Sequence, residues 1–221
     1  MANLYFRYST MNAGKSAHLI QAAFNYLEQN MRPLIGKSST DTRILNKPAG
    51  VTGVYEAIGQ IESRGGGNIA CGLFSPTQDL YQWVLDHGGN FLPGVSMVNC
   101  VLIDEAQFLT PEQVDQLCKV VDVLNIPVLC YGLRTDFQGK LFPGSAALLA
   151  NAEKLSEIKT LCNCGSKATH VVRVDKDGQV LQDGAQVVIG NDNYISVCRR
   201  HFNAALAGTY KPCPLKKITL D

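Results

Sequence analysis

Three groups of residues in this 221-residue chain have the types and spacing to do chemistry. The first, Ser9-Thr10-Met11-Asn12-Ala13-Gly14-Lys15-Ser16, has the spacing of the phosphate loop G-x-x-x-x-G-K-[ST], with Ser9 in place of the first glycine. In such a loop Gly14 lets backbone N–H groups turn onto phosphate oxygens. Lys15 brings a point charge to the β- and γ-phosphates, and the Ser16 hydroxyl can ligate Mg²⁺. The second group is Asp104-Glu105 at the end of an apolar run. Asp104 suits the acidic position that holds Mg²⁺ in phosphate-loop proteins, and Glu105 then remains for proton work. A glutamate of ordinary pKa, ~4.3, is ionised at neutral pH and can act as a base. Spacing alone leaves two readings open: a base for an attacking hydroxyl, and a water-activating glutamate of an ATPase.

The third group is Cys162-Asn163-Cys164-Gly165 with Cys198-Arg199-Arg200-His201, two ligand pairs that match a closed Cys₃His zinc site. Four ligands leave no open position, so the role expected is structural. His170 competes for the fourth place, but it begins an alternating strand, and His201 is preferred. Cys71, Cys100, Cys118 and Cys130 sit singly in apolar or helical surroundings and read as core thiols, while Cys213, between two prolines, reads as a free one.

Elements must carry these groups. Residues 4–8 are aromatic-rich and read as a strand entering the loop. Leu19, Ile20, Ala23, Phe24 and Leu27 then give one apolar face to a helix over 15–29, and 33–37 reads as a second strand. Residues 98–103 form a continuous apolar run, as in a strand buried on both faces of a parallel sheet. Thr110, Pro111 and Gln113 form a capping pattern for a helix that presents Val114, Leu117, Cys118 and Val121 to the sheet, and 126–131 is the next strand. The stretch 46–93 is the least readable. Gly65-Gly66-Gly67 and Gly88-Gly89 flank one helix expected over 77–86, and insertions and mobility are expected around it. After about 161 the pattern changes to short strands, 170–174, 186–189 and 194–197, with a turn at Asp177-Gly178.

The expected fold is α/β: a phosphate-loop parallel sheet with helices on both faces, plus a small C-terminal zinc-binding β-ribbon. The expected organisation is 1–160 for the sheet domain, 161–208 for the ribbon and 209–221 for a flexible tail. Lys plus Arg (20) nearly balances Asp plus Glu (19), so there is no overall field to hold a nucleic-acid backbone or an anionic membrane. No signal segment or membrane span is apparent, which predicts a cytoplasmic protein.

The order of the phosphate loop, Asp41-Thr42-Arg43, Asp104-Glu105-Ala106-Gln107-Phe108 and the zinc ribbon resembles the thymidine kinases of the cellular, tetrameric type. The segments 131–142 (YGLRTDFQGKLF) and 188–198 (VVIGNDNYISVC) carry the resemblance further, over nearly the whole chain. The resemblance implies a RecA-like fold and transfer of the γ-phosphoryl group of ATP to the 5′-hydroxyl of thymidine, with Mg²⁺, a structural zinc ion and a homotetramer. A RecA-like ATPase whose zinc ribbon contacts nucleic acid is the alternative. Carried onto these positions, the resemblance makes Glu105 the base and gives ATP the loop 9–16, Asp104 and Gln107. Ser16, Asp41 and Asp104 would serve the magnesium ion, and Lys15 and Arg43 the phosphates. Phe108, Leu133, Phe137, Phe142, Val188, Ile189, Gly190 and Tyr194 would hold the nucleoside. The chain departs from the family at Ser9, in the short Cys162/Cys164 spacing and in the length of 65–94.

Overall fold

The computed structural model describes residues 1–41, 59–89, 97–186 and 193–213. Its contacts divide the chain into two compact units. The first comprises Met1–Tyr8, Gly14–Arg134 and Phe142–Ile158, and the second comprises Ser9–Ala13, Thr135–Leu141 and Lys159–Asp221.

In the first unit, β1 (Leu4–Ser9), β2 (Arg32–Ser38), β3 (Gly59–Glu62), β4 (Asn68–Phe74), β5 (Val98–Asp104), β6 (Val128–Leu133) and β7 (Lys154–Glu157) make one sheet in the order β3-β4-β2-β5-β6-β1-β7. Pairing of β2 with β4 and β5, of β5 with β6 and of β1 with β7 is parallel, and the edge pair β3–β4 is antiparallel. Parallel strands buried on both faces need apolar side chains throughout, and β5 supplies them: Val98, Cys100, Val101, Leu102 and Ile103 are each within 1 % of full burial. Helix α1 (Lys15–Glu28) packs on β2, β3, β5 and β6, while α2 (Leu80–Val84), α3 (Pro111–Leu124) and α4 (Pro143–Asn151) pack against one another in sequence, so the sheet is flanked by helices.

The start of α3 follows its sequence. Thr110 accepts from the Gln113 N–H at 3.2 Å, and the Gln113 side chain accepts from the Thr110 N–H at 3.2 Å. This reciprocal cap fixes the helix start behind the acidic pair. Val114, Leu117 and Val121 are buried as expected, whereas Cys118 is only half-buried. They join Phe6, Leu34, Trp83, Val101 and Ile103 in the main core, where truncation of Leu117 to alanine would cost about 2–5 kcal/mol.

Between 46 and 93 the structure describes residues 59–89. Residues 42–58 and 90–96 lie outside the described residues, but β3 and β4 form a hairpin whose turn uses Gly66 and Gly67 at φ 89° and 86°. Strand β4 then pairs with β2 inside the main sheet. The Gly65-Gly66-Gly67 run lies in the turn of this sheet hairpin. The helix expected over 77–86 begins later, at Leu80, with Asp79 as its cap, and ends in a widened turn, Leu85–Gly89.

The second unit contains an antiparallel ribbon of β8 (His170–Val174), β9 (Val180–Leu181) and β10 (Asn193–Val197), ordered β10-β8-β9, followed by α5 (Arg199–Leu206). The Asp177-Gly178 turn joins β8 to β9, with Gly178 at φ 74°. Of the strand expected over 186–189, Gln186 lies outside any strand and 187–189 lie outside the described residues; Val180–Leu181 pairs with β8. A separate core of Cys162, Val172, Val174, Ile195, Val197 and Phe202 fills this unit. No helix among the described residues is long and apolar enough to cross a membrane.

Candidate active site and metal centre

The loop over 9–16 leaves β1 through two residues in the left-handed region, Asn12 at φ 61° and Gly14 at φ 84°. A side chain at position 14 would be strained whatever the space around it, which is why glycine stands there. Helix α1 then begins at Lys15 with no side-chain cap and no acidic residue in its first turn. Its first N–H groups and positive dipole end therefore meet no acidic side chain of that turn, a ready seat for phosphate oxygens.

Sheet order brings the acidic pair to this helix. Strand β5 ends at Asp104, which is 3 % exposed, and its Oδ2 accepts from the Ser16 hydroxyl at 3.4 Å. Its Oδ1 is buried with no hydrogen-bond partner among the described residues. On neighbouring β2 the residue in register with Asp104 is Lys37, whose Nζ lies 2.9 Å from the Asp41 carboxylate in a buried ion pair. Burial, reinforced by the charge of Glu105, pushes the Asp104 carboxyl up to about 7, against the pull of Lys37 and Lys15. A buried carboxylate with an unmatched oxygen, facing a hydroxyl, is a hard-oxygen donor set, and these residues fit Mg²⁺.

Glu105 occupies the left-handed region at φ 52° and ψ 40°, uncommon for a residue with a side chain. It caps a 3₁₀ turn, Ala106–Phe108, closed by Phe108 N–H to the Glu105 carbonyl at 3.0 Å. Strained backbone of this kind collects at functional sites and persists only where the surroundings over-determine it. Here they do. The Gln107 amide donates to Glu105 Oε2 at 2.6 Å and accepts from the Leu133 N–H at 2.9 Å. Phe108 and Phe142 meet edge to face at 6.1 Å in the same unit.

In the second unit, one ligand atom from each of Cys162, Cys164, Cys198 and His201 lies within 4.8 Å of all the others. Cys162 Sγ is 3.2 Å from His201 Nδ1, and Cys164 Sγ is 3.9 Å from Cys198 Sγ. Tetrahedral zinc with ~2.3 Å bonds to sulfur sets its ligand atoms roughly 3.5–3.8 Å apart, so the donor set and its spacing fit zinc. The short Cys-x-Cys spacing works because the chain turns tightly behind it: the Gly165 N–H donates to the Cys162 carbonyl at 2.9 Å, with Gly165 at φ 80°. Cys198 caps α5 and His201 follows one turn on, so the second pair rides one helix end. His170 is elsewhere, stacked on Phe202 at 4.6 Å with Nδ1 2.9 Å from the Thr169 hydroxyl. Hydrogen bonds from Ser166 pull the exposed Cys164 thiol down to about 7, while burial pushes Cys162 up.

The family model described as thymidine kinase matches residues 2–62 and 91–202. The chain belongs to the thymidine kinase family. It is 49% identical to the thymidine kinase of Ruegeria pomeroyi over 206 residues, covering 93% of this chain and 96% of that one. Identity is 49% to the thymidine kinase of Vibrio parahaemolyticus over 207 residues (93% and 99%) and 46% to that of Yersinia pestis over 207 residues (93% and 97%). Residues 63–90, which the family model passes over, include β4 of the main sheet.

Within this thymidine kinase fold, the first unit gathers Gly14, Lys15, Ser16, Asp41, Asp104, Glu105, Gln107, Phe108, Leu133 and Phe142. Ser9, Thr10, Met11, Asn12, Ala13, Phe137, Tyr194 and the four metal-site residues belong to the second. Arg43, Val188, Ile189 and Gly190 lie outside the described residues. Sequence reasoning missed how Phe137 is held. The buried Arg173 guanidinium sits 4.3 Å over its ring and donates to the Ala185 and Asp183 carbonyls at 3.2 and 3.3 Å. Beside it, Asp136 accepts from the N–H groups of Gln138 and Lys140 and from the Gln186 amide, at 2.8–2.9 Å. An arginine at an inward position of a strand is the one sequence signal that could have marked this clamp.

Proposed function

We propose that this protein is an ATP:thymidine 5′-phosphotransferase, moving the γ-phosphoryl group of ATP to the 5′-hydroxyl of thymidine to give dTMP. The observation that carries the reading is the placement of Glu105. It is a carboxylate held in a left-handed turn one residue beyond a buried aspartate, and that aspartate faces Ser16 at the head of the phosphate-loop helix. Phosphoryl transfer asks for positioning, charge neutralisation and a proton acceptor for the attacking hydroxyl. In this reading the N–H groups of the loop and Lys15 hold the triphosphate, and Arg43 adds charge at the phosphates. Glu105 takes the proton from the 5′-hydroxyl as its oxygen attacks phosphorus and ADP leaves. Ser16, Asp104 and Asp41 would hold Mg²⁺, which supplies charge neutralisation at the phosphate oxygens when bound. Phe108, Leu133, Phe137, Phe142, the backbone of 188–190 and Tyr194 would enclose the nucleoside, and the Cys₃His group would hold a structural zinc ion. A homotetramer in the cytoplasm follows from the family resemblance.

The test is direct. Purified protein incubated with γ-labelled ATP, Mg²⁺ and each nucleoside in turn is expected to yield labelled dTMP with thymidine. Hydrolysis of ATP stimulated by DNA, with no labelled nucleotide from any nucleoside, would overturn the reading in favour of a RecA-like ATPase.

A further inference from the structure

We infer that Gln107 acts as a positioning residue for Glu105 and not as a ligand of the nucleotide. The inference rests on Glu105 being the base, as proposed above. Gln107 is 2 % exposed, and both ends of its carboxamide are engaged inside the protein. The Leu133 N–H can only donate, so the amide oxygen must face it, at 2.9 Å, and the NH₂ must face Glu105, at 2.6 Å. The orientation of the amide is therefore fixed by chemistry.

The bond to Leu133 ties the base to the end of β6, and the surroundings are shaped to keep it. A Cβ on Gly132 would come 2.9 Å from the Gln107 nitrogen and 3.0 Å from its amide oxygen, so position 132 must be bare. The Leu133 carbonyl accepts from the fully buried Ser145 hydroxyl at 2.5 Å. Next to Ser145, a Cβ on Gly144 would stand 2.5 to 3.0 Å from the carbonyl oxygens of Leu109, Ala106 and Gln107, which seats the first turn of α4 directly on the 105–109 backbone. A brace thus runs from the Glu105 carboxylate through Gln107 and Leu133 to α4. It holds Glu105 Oε2 at a set place, and misplacement of a reacting group by about 1 Å can cost ~10²-fold in rate.

Two variants test this. Gln107→Met keeps the length and makes neither bond; Gln107→Glu keeps an acceptor for the Leu133 N–H but turns a carboxylate toward Glu105. In both, kcat is expected to fall at least about tenfold, with the affinity for a fluorescent ATP analogue and the KM for ATP within about twofold of the parent. In a Glu105→Gln background, Gln107→Met should remove little more, because the group it positions is gone. Weakened ATP binding with kcat intact would make Gln107 a nucleotide ligand and overturn the inference, as would additive losses in the double variant. Gln107→Glu keeps the Leu133 bond and serves if Gln107→Met does not fold, judged by Trp83 fluorescence. Full turnover in Glu105→Gln alone would instead strike the base assignment. An inactive Glu105→Gln beside fully active Gln107 variants would leave the base standing and remove only the positioning role.

Discussion

The acidic site of the first unit and the cysteine-histidine site of the second are built in opposite ways. Asp104, Glu105, Lys37, Asp41 and Ser16 come from the ends of separate elements and meet only because the sheet places β2 beside β5. They carry unresolved tension: a buried carboxylate oxygen with no partner, a left-handed glutamate and a carboxyl pushed up to about 7. Cys162, Cys164, Cys198 and His201 come from one tight turn and one helix end, four residues whose chemistry is complete once a tetrahedral ion joins them.

The largest way to break this contrast is at Glu105. Glu105→Gln should lower kcat by about 10²- to 10⁴-fold while ATP binding persists, and steady-state kinetics beside a nucleotide titration would show it. A variant with normal turnover would mean that the strained glutamate is scaffold after all. Next is metal removal. Cys198→Ser, or a chelator, should lower the unfolding temperature of 160–210 by hydrogen exchange, while the fluorescence transition of Trp83, buried in the first unit, moves less. Coincident shifts by both probes would show that the two regions do not melt separately.

A smaller effect concerns Asp104. Its folded-state pKa lies above the unfolded value, 3.8 against about 7, so the folded protein keeps a proton that the unfolded chain gives up. The resulting stability is complete below about 4 and is lost as pH rises through about 7. Metal-free protein should lose stability across this window, Asp104→Asn should flatten the loss, and the stabilisation by Mg²⁺ should grow with pH. Thermal melts at several pH values, with and without Mg²⁺, check all three. Equal pH slopes for parent and Asp104→Asn would remove Asp104 as the source. Smallest is Thr110→Ala, which breaks the reciprocal cap of α3 and should cost about 1 kcal/mol in chemical denaturation without changing kcat.

Much of this architecture was legible where local chemistry decides it. The apolar run of β5, the phosphate-loop helix and the Thr110 cap depend on neighbours in sequence, and each lies within a few residues of its expected place. Other elements depend on partners far along the chain. Strand β7 (KLSE) is exposed and polar, held to β1 by backbone pairing, so it has no hydrophobic period to read. Helix α4 (PGSAALLAN) is nearly apolar all round and shows no face. The hairpin β3–β4 hid behind its three glycines. At the candidate site the residue types were readable, but the work of Gln107 depends on Leu133, 26 residues later, and the clamp of Phe137 by Arg173 on a strand in another part of the sequence.

One hydrogen bond bears on how the protein is made. The Ser196 hydroxyl on β10 donates at 2.6 Å to the carbonyl of Met11, 185 residues earlier, and both belong to the second unit. A ribosome adding roughly 5–20 residues per second needs about ten to forty seconds to cover that separation. Throughout that interval the nascent chain has the sequence of the loop that holds Met11 but not the strand that fastens it. Loop completion is therefore a late event of biosynthesis, and a message truncated before β10 yields a chain whose Met11 carbonyl lacks this anchor.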